Sequence, residues 1–144
     1  MKSVTNLREV HMERADFKKI LTTYKTIAVV GLSPDEGKPS HGVAAYLKRA
    51  GFRIIPVNPS CSEILGERCY PTVADIPEEV EIVDIFRRSE FVPEIVDQAI
   101  AKGAKVVWMQ EGVINQSAAA KAEAAGLQVV MDRCILKEHV KVAR

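Results

Sequence analysis

The chain has 144 residues, of which 47% are hydrophobic and 27% charged, and its formal net charge is +1. That length suits one domain with a buried core, and the composition is that of an ordinary globular protein rather than a disordered one. The near-neutral balance speaks against a general nucleic-acid binder, which carries a basic excess on one face. No apolar run reaches the roughly 18 residues a membrane span needs. The stretch from Met1 to Arg14 is polar, without the apolar core of a signal peptide. A single domain over 1–144, located in the cytoplasm, is the expectation.

In chain order, a helix is predicted first, over about residues 13–24, packed on the outside of the sheet. Five short apolar, β-branched runs then appear: Ile27–Val30, Arg53–Val57, Ile82–Phe86, Lys105–Met109 and Leu127–Met131. Continuous apolar runs of this length suit strands buried on both faces, as in a parallel sheet. Between them lie segments of helical spacing. Val43, Ala44 and Leu47 mark one that stops before Gly51. Val92, Ile95, Val96, Ala99 and Ile100 mark another that stops at Gly103. Ala118 to Ala125 forms a third, ending at Gly126. Glycine just past a helix supplies the left-handed cap residue, and Ser40, Ser89 and Asn115 are the predicted N-caps. Residues Pro59 to Pro77 carry turn formers and read as an irregular excursion with at most a short strand or helical turn. The alternation predicts an α/β fold, a doubly wound sheet of about five parallel strands with helices on both faces.

Ligands of such sheets bind beyond the carboxyl ends of the strands, near the switch in strand order. The loop after the first strand runs Gly31-Leu32-Ser33-Pro34-Asp35-Glu36-Gly37-Lys38-Pro39-Ser40. Gly31 permits a sharp turn. Ser33, Ser40 and backbone amides can meet an anion at the helix start, with Lys38 adding charge. It matches neither a Walker A loop nor GxGxxG. After the second strand, Asn58-Pro59 stands where NAD-binding domains place an acid on the ribose. Without that carboxylate a phosphorylated ribose is not repelled, which points to CoA or NADP rather than NAD. Arg53 opens the same strand. Phe86-Arg87-Arg88 follows the third strand, and arginine forks suit phosphate oxygens. Gln110 and Gly112 lie in the fourth loop, beyond a Trp108 read as core. In the fifth, Asp132 is expected to pair with a neighbouring arginine, beside Arg133 and Cys134.

Other chemistries lack their signatures. His11 and His139 lie near the termini, and His41 reads as part of a helix start. No HExxH, paired cysteines or clustered carboxylates suggest a metal, and no GxSxG elbow is present. Cys61, Cys69 and Cys134 read as free thiols in a reducing compartment.

Taken together, several stretches carry a family resemblance. They are Ile27-Ala28-Val29-Val30-Gly31-Leu32-Ser33, Ile55-Pro56-Val57-Asn58-Pro59, Ile64-Leu65-Gly66, Val83-Asp84-Ile85-Phe86-Arg87-Arg88, Gly103 through Gln110, and Met131-Asp132-Arg133-Cys134. In this order and spacing the chain resembles stand-alone CoA-binding proteins related to the N-terminal domain of the succinyl-CoA synthetase alpha subunit and of ADP-forming acyl-CoA synthetases. The resemblance implies a Rossmann-like fold and a ligand, coenzyme A or an acyl-CoA. It implies a site made of Gly31, Leu32, Ser33, Lys38, Pro39, Ser40, Arg53, Asn58, Pro59, Phe86, Arg87, Arg88, Gln110 and Gly112, with the arginine pair matching the stand-alone members. The synthetases' phosphohistidine domain and ATP-grasp partner have no counterpart here, so CoA binding without catalysis is expected. The alternatives are a CoA-binding subunit of a multi-chain acyl-CoA synthetase and an NADP-type oxidoreductase.

Overall fold

The computed structural model describes residues 14–143. Helix α1 (Arg14–Thr23) leads into strand β1 (Thr26–Val30), helix α2 (Pro39–Arg49) and strand β2 (Arg53–Val57). A short hairpin, β3 (Glu63–Ile64) and β4 (Glu67–Arg68), and a 3-10 turn at Val73–Asp75 come next. After them the chain forms β5 (Ile82–Ile85), a 3-10 turn at Ser89–Phe91, α3 (Val92–Lys102), β6 (Val106–Met109), α4 (Gln116–Ala124), β7 (Gln128–Val130) and α5 (Ile135–Val142).

The main sheet has five strands in the order β2-β1-β5-β6-β7, all parallel. This is the doubly wound, Rossmann-like α/β fold. Its strands are apolar on both faces because helices cover both. Ala28, Val30, Val83, Ile85, Val107 and Met109 pack with α3 and α4. Ile27, Val29, Ile82, Val106 and Trp108 face the other way, onto α1, α2 and α5. The alternation along each strand separates the two cores. Trp108 is fully buried, and its indole N–H donates to the Arg133 carbonyl at 2.8 Å. No helix among the described residues is long and apolar enough to cross a membrane.

Residues Pro59 to Pro77 hold more order than a simple excursion. The hairpin turns at Leu65 and Gly66, both with positive φ (56° and 76°), the geometry of a tight primed turn. Tyr70 then bridges back to β2 at Val57. The helix starts differ from expectation in two places. Ser40 lies inside α2, which begins at Pro39 after Lys38. Proline is pre-shaped for the first helical turn, so the helix starts there without a side-chain cap. Ser89 opens a 3-10 turn ahead of α3, and its hydroxyl oxygen accepts from the Ile114 amide instead. Asn115 does cap α4, accepting from the Ala118 amide at 3.0 Å.

The chain winds from β1 outward to β2, then returns to the far side of β1 as β5. The loops after β1 and β5 therefore diverge and leave a crevice at their junction. Gly31 sits there with φ of 86°, and a Cβ on it would stand 2.4 Å from the Phe86 carbonyl oxygen. Gly31→Ala is expected to cost about 2–4 kcal/mol, combining left-handed backbone strain with a backbone clash. Chemical denaturation measures it, and a loss below about 1 kcal/mol contradicts this account of the junction.

Candidate functional site

Among the described residues, three cavities open along the carboxyl edge of the sheet, and Arg87 lines all three. The largest, about 480 Å³, lies between the start of α2 and the loops after β5, β6 and β7. Pro39, Val43, Phe86, Arg88, Gln110, Gly112 and Cys134 are among its walls. A second, about 310 Å³, is bounded by Gly31, Asn58, Pro59, Ser60 and Pro71. A third, about 220 Å³, runs under Pro71, Thr72 and Phe91. The Arg87 guanidinium carbon stacks 4.4 Å from the Phe91 ring centre, and Arg88 lies over the same ring at 5.4 Å. Stacking holds a guanidinium without using its donors. Arg87 forms no ion pair with an acid among the described residues, whereas the exposed Arg88 approaches Glu90 at 3.9 Å.

The first loop is tied together by its own side chains. The Ser40 hydroxyl accepts from the Ser33 amide at 3.0 Å, and the Ser33 hydroxyl accepts from the Asp35 amide at 3.1 Å. Asp35 accepts from the Gly37 amide at 2.8 Å, so its carboxylate is spent within the loop. His41 Nδ1 lies 2.9 Å from the Ser33 carbonyl. A carbonyl only accepts, so that nitrogen carries the proton. The Leu32 and Ser40 amides have no acceptor among the described residues. Leu32 is fully buried; Ser40 stands in the first turn of α2, where a free N–H group and the helix dipole favour an anion.

Asn58 has a firmer role than the absence of a charge. Its amide nitrogen donates to the Leu32 carbonyl at 2.9 Å, and its oxygen accepts from the Ser60 amide at 2.8 Å. An aspartate could not make the first bond, because a carboxylate only accepts. Asn58 thus pins the second loop to the first.

Below the largest cavity lies a buried polar pair. Asp84 on β5 is fully buried, and its Oδ1 accepts from Gln110 Nε2 at 2.6 Å. Its Oδ2 has no partner among the described residues. Burial pushes the Asp84 carboxyl up to about 7, and the Gln110 hydrogen bond opposes the rise only in part. Gln110 is itself 3% exposed and lines the cavity, and its side-chain carbonyl oxygen has no partner among the described residues. Asp132 accepts from the Gly112 amide at 2.7 Å rather than pairing with an arginine; a positive φ of 60° places its side chain back toward that loop.

One residue of the expected site stands elsewhere. Arg53 is the first residue of β2, in register with Thr26 at the start of β1. It therefore lies at the amino edge of the sheet, about 13 Å along the strand from Val57. Its guanidinium is engaged by Glu78 at 2.8 Å and Glu67 at 2.6 Å, which hold it charged well above its ordinary range, Glu78 foremost. Of the others, Leu32 is core, Lys38 is exposed at the helix start, and Phe86 and Pro39 wall the largest cavity. His11 lies outside the described residues. Sequence reasoning passed over Asp84, although an acid inside the apolar run Ile82-Val83-Asp84-Ile85 is a readable signal. Thr72 and Val43 carried none.

An open parallel sheet with an arginine-lined crevice at its switch point is the Rossmann-like arrangement, in which ligands bind beyond the carboxyl ends of the strands. Residues 25–140 match the family model described as a CoA binding domain, and the chain belongs to that family. It is 39% identical to YneT of Bacillus subtilis over 126 residues, 88% of this chain and 93% of that one. It is 41% identical over 83 residues to acetate–CoA ligase [ADP-forming] II of Archaeoglobus fulgidus, 56% of this chain but 12% of the ligase. Among solved structures, a hypothetical protein from Pyrococcus horikoshii OT3 superposes with a TM-score of 0.91 at 44% identity, covering 93% of this chain and 94% of that one. The apo dinucleotide-forming acetyl-coenzyme A synthetase 1 of Ca. Korarchaeum cryptofilum gives 0.68 at 26% identity, over 75% of this chain and 26% of the synthetase.

Because Asp84 keeps its proton in the folded chain to about pH 7, and in the unfolded chain only to about 4, the folded state binds more protons between those values. Stability therefore falls as pH rises through that window and levels off above it. Relative to Asp84→Asn, the wild type is expected to lose on the order of 4 kcal/mol between pH 4 and 8. Denaturation of both proteins across that range measures the difference. A gap independent of pH contradicts the buried, proton-retaining carboxyl.

Proposed function

We propose that this chain binds coenzyme A or an acyl-CoA across the carboxyl edge of its sheet, through the adenosine-phosphate end, and has no catalysis of its own. The observation that carries the reading is Arg87: stacked on Phe91, unpaired with any acid among the described residues, and present in the wall of all three cavities. A guanidinium held this way has its donors free for phosphate oxygens. The Ser40 amide supplies a further anion contact, and the cavity beside Asn58, Pro59 and Ser60 suits an adenosine. Membership of the CoA-binding family supports the choice of ligand.

The ligases that share this stretch devote 12–19% of their length to it, so the reading gives this chain the binding step and leaves acyl transfer to other domains. A second reading, a subunit of a multi-chain acyl-CoA synthetase, is favoured by 34% identity over 89 residues to the alpha subunit of acetate–CoA ligase [ADP-forming] I of Pyrococcus furiosus.

Calorimetry with CoA tests the proposal. Arg87→Ala is expected to weaken binding by about 1–3 kcal/mol, the range for a charge-assisted hydrogen bond. Arg53→Ala, at the other edge, is expected to leave affinity unchanged. Added salt weakens binding by the wild type. Equal affinity of wild type and Arg87→Ala removes the observation on which the reading stands, and no binding by wild type at saturating CoA removes the reading itself.

A further inference from the structure

Cys134 is a half-buried thiol that the binding site does not otherwise use. It stands immediately before α5 and forms part of the wall of the largest cavity. The other two cysteines differ in placement. Cys69 is buried, and burial above all pushes its thiol up, with Cys61 and Glu63 adding smaller effects. Cys61 follows Ser60, beyond β2, at the opposite end of the sheet.

A second feature of the same cavity points to a ligand. Gln110 is 3% exposed, yet its carbonyl oxygen is unpartnered among the described residues and the residue forms part of the cavity wall. Its amide nitrogen is held by Asp84, so the oxygen is the atom left to meet an incoming N–H donor. That oxygen is open to the cavity, and an amide-bearing chain entering there would supply it with an N–H partner. Lys137, three residues further on in the first turn of α5, is ion-paired with Glu111 at 2.9 Å.

The layout suits one elongated molecule. From the end of β2, where Asn58 stands, to the end of β7 is four strand steps, about 19 Å. A ligand with adenosine at one end, amides in its middle and a thiol at the other matches that order: the Asn58 cavity, Gln110, then Cys134.

Resting on the CoA reading above, we infer that Cys134 is a thiol-exchange site that takes the ligand's own sulfur, holding CoA as a mixed disulfide. The co-reactant is the symmetrical disulfide of CoA. The Cys134 thiolate attacks one of its sulfurs and forms the new S–S bond. The original S–S bond breaks, and one CoA leaves as a thiolate that takes up the proton Cys134 gave to solvent. Cys134 is oxidised and the departing sulfur reduced, so no external oxidant enters.

The test treats the full chain with CoA disulfide and, separately, with glutathione disulfide, followed by intact-mass measurement and peptide mapping. The expected result is one CoA per chain, on Cys134, released by dithiothreitol. It should form at least about tenfold faster than the glutathione adduct, since the bound adenosine end raises the local concentration of the reacting sulfur. Calorimetry with reduced CoA on the same preparation separates the two claims. Binding without a Cys134 adduct, an adduct mainly on Cys61, or equal rates with the two disulfides overturns the exchange site and leaves the CoA reading standing. Absence of CoA binding overturns both.

Discussion

At the junction of β1 and β5 the backbone comes closer than any side chain allows. Gly31 turns with φ of 86°, and the Phe86 carbonyl oxygen occupies the place a Cβ would take, 2.4 Å away. That contact lets two parallel neighbours end side by side while their loops leave in opposite directions. The crevice at the sheet's switch point is its consequence. The Arg87 Cδ lies 3.0 Å from the same hypothetical Cβ, so the glycine also makes room for the arginine's aliphatic stem. Phe91 then receives the guanidinium. A residue with a side chain at position 31 would disturb the strand pairing and the cation together.

Around that junction the loops are braced by short side chains rather than by regular structure. Ser40 holds the Ser33 amide, Asp35 holds the Gly37 amide, Asn58 joins the Leu32 carbonyl to the Ser60 amide, and Asp132 holds the Gly112 amide. Each bond satisfies a backbone group that the turn would otherwise leave open. Loops fixed in this way lose little further freedom when a ligand enters, which reduces the ordering cost of binding. Arg87, the Ser40 amide and the Gln110 carbonyl oxygen stay uncommitted. These are donors for anions and one acceptor for an N–H, which matches a ligand with phosphates at one end and amides further along. Asp35 in the first loop does not contradict this, because its carboxylate is turned onto its own loop.

Much of the fold is legible in the residue pattern. The five strands can be read because runs such as Ile27-Ala28-Val29-Val30 are apolar on successive residues, which only a strand covered on both sides tolerates. The helix ends can be read from Gly51, Gly103 and Gly126, all with positive φ. Arg53 shows where a residue's chemistry misleads. It has the right charge for a phosphate, but a strand's first residue lies at the amino edge of a parallel sheet, and its acidic partners come from residues 67 and 78, distant in sequence. Helix α5 is not legible in the same way because its inward positions, Ile135, Glu138 and Val142, include a charged residue. Glu138 is buried with Arg133 at 3.9 Å and Lys141 at 3.4 Å from its carboxylate.

By itself the sequence determined the five strands of the main sheet and helices α1 to α4, the glycine-permitted turn after β1, and the set of loops from which a site could be built. Those depend on local periodicity and on backbone freedom at single residues, which neighbouring residues reveal. Tertiary structure decided which loop residues converge. It set Arg87 among the three cavities, turned Asp132 onto Gly112, buried Asp84 beneath Gln110 and brought Cys134 to the cavity wall. Each of these arises from strand order and from contacts between residues twenty or more positions apart or on non-adjacent elements, and local pattern carries no record of such distances.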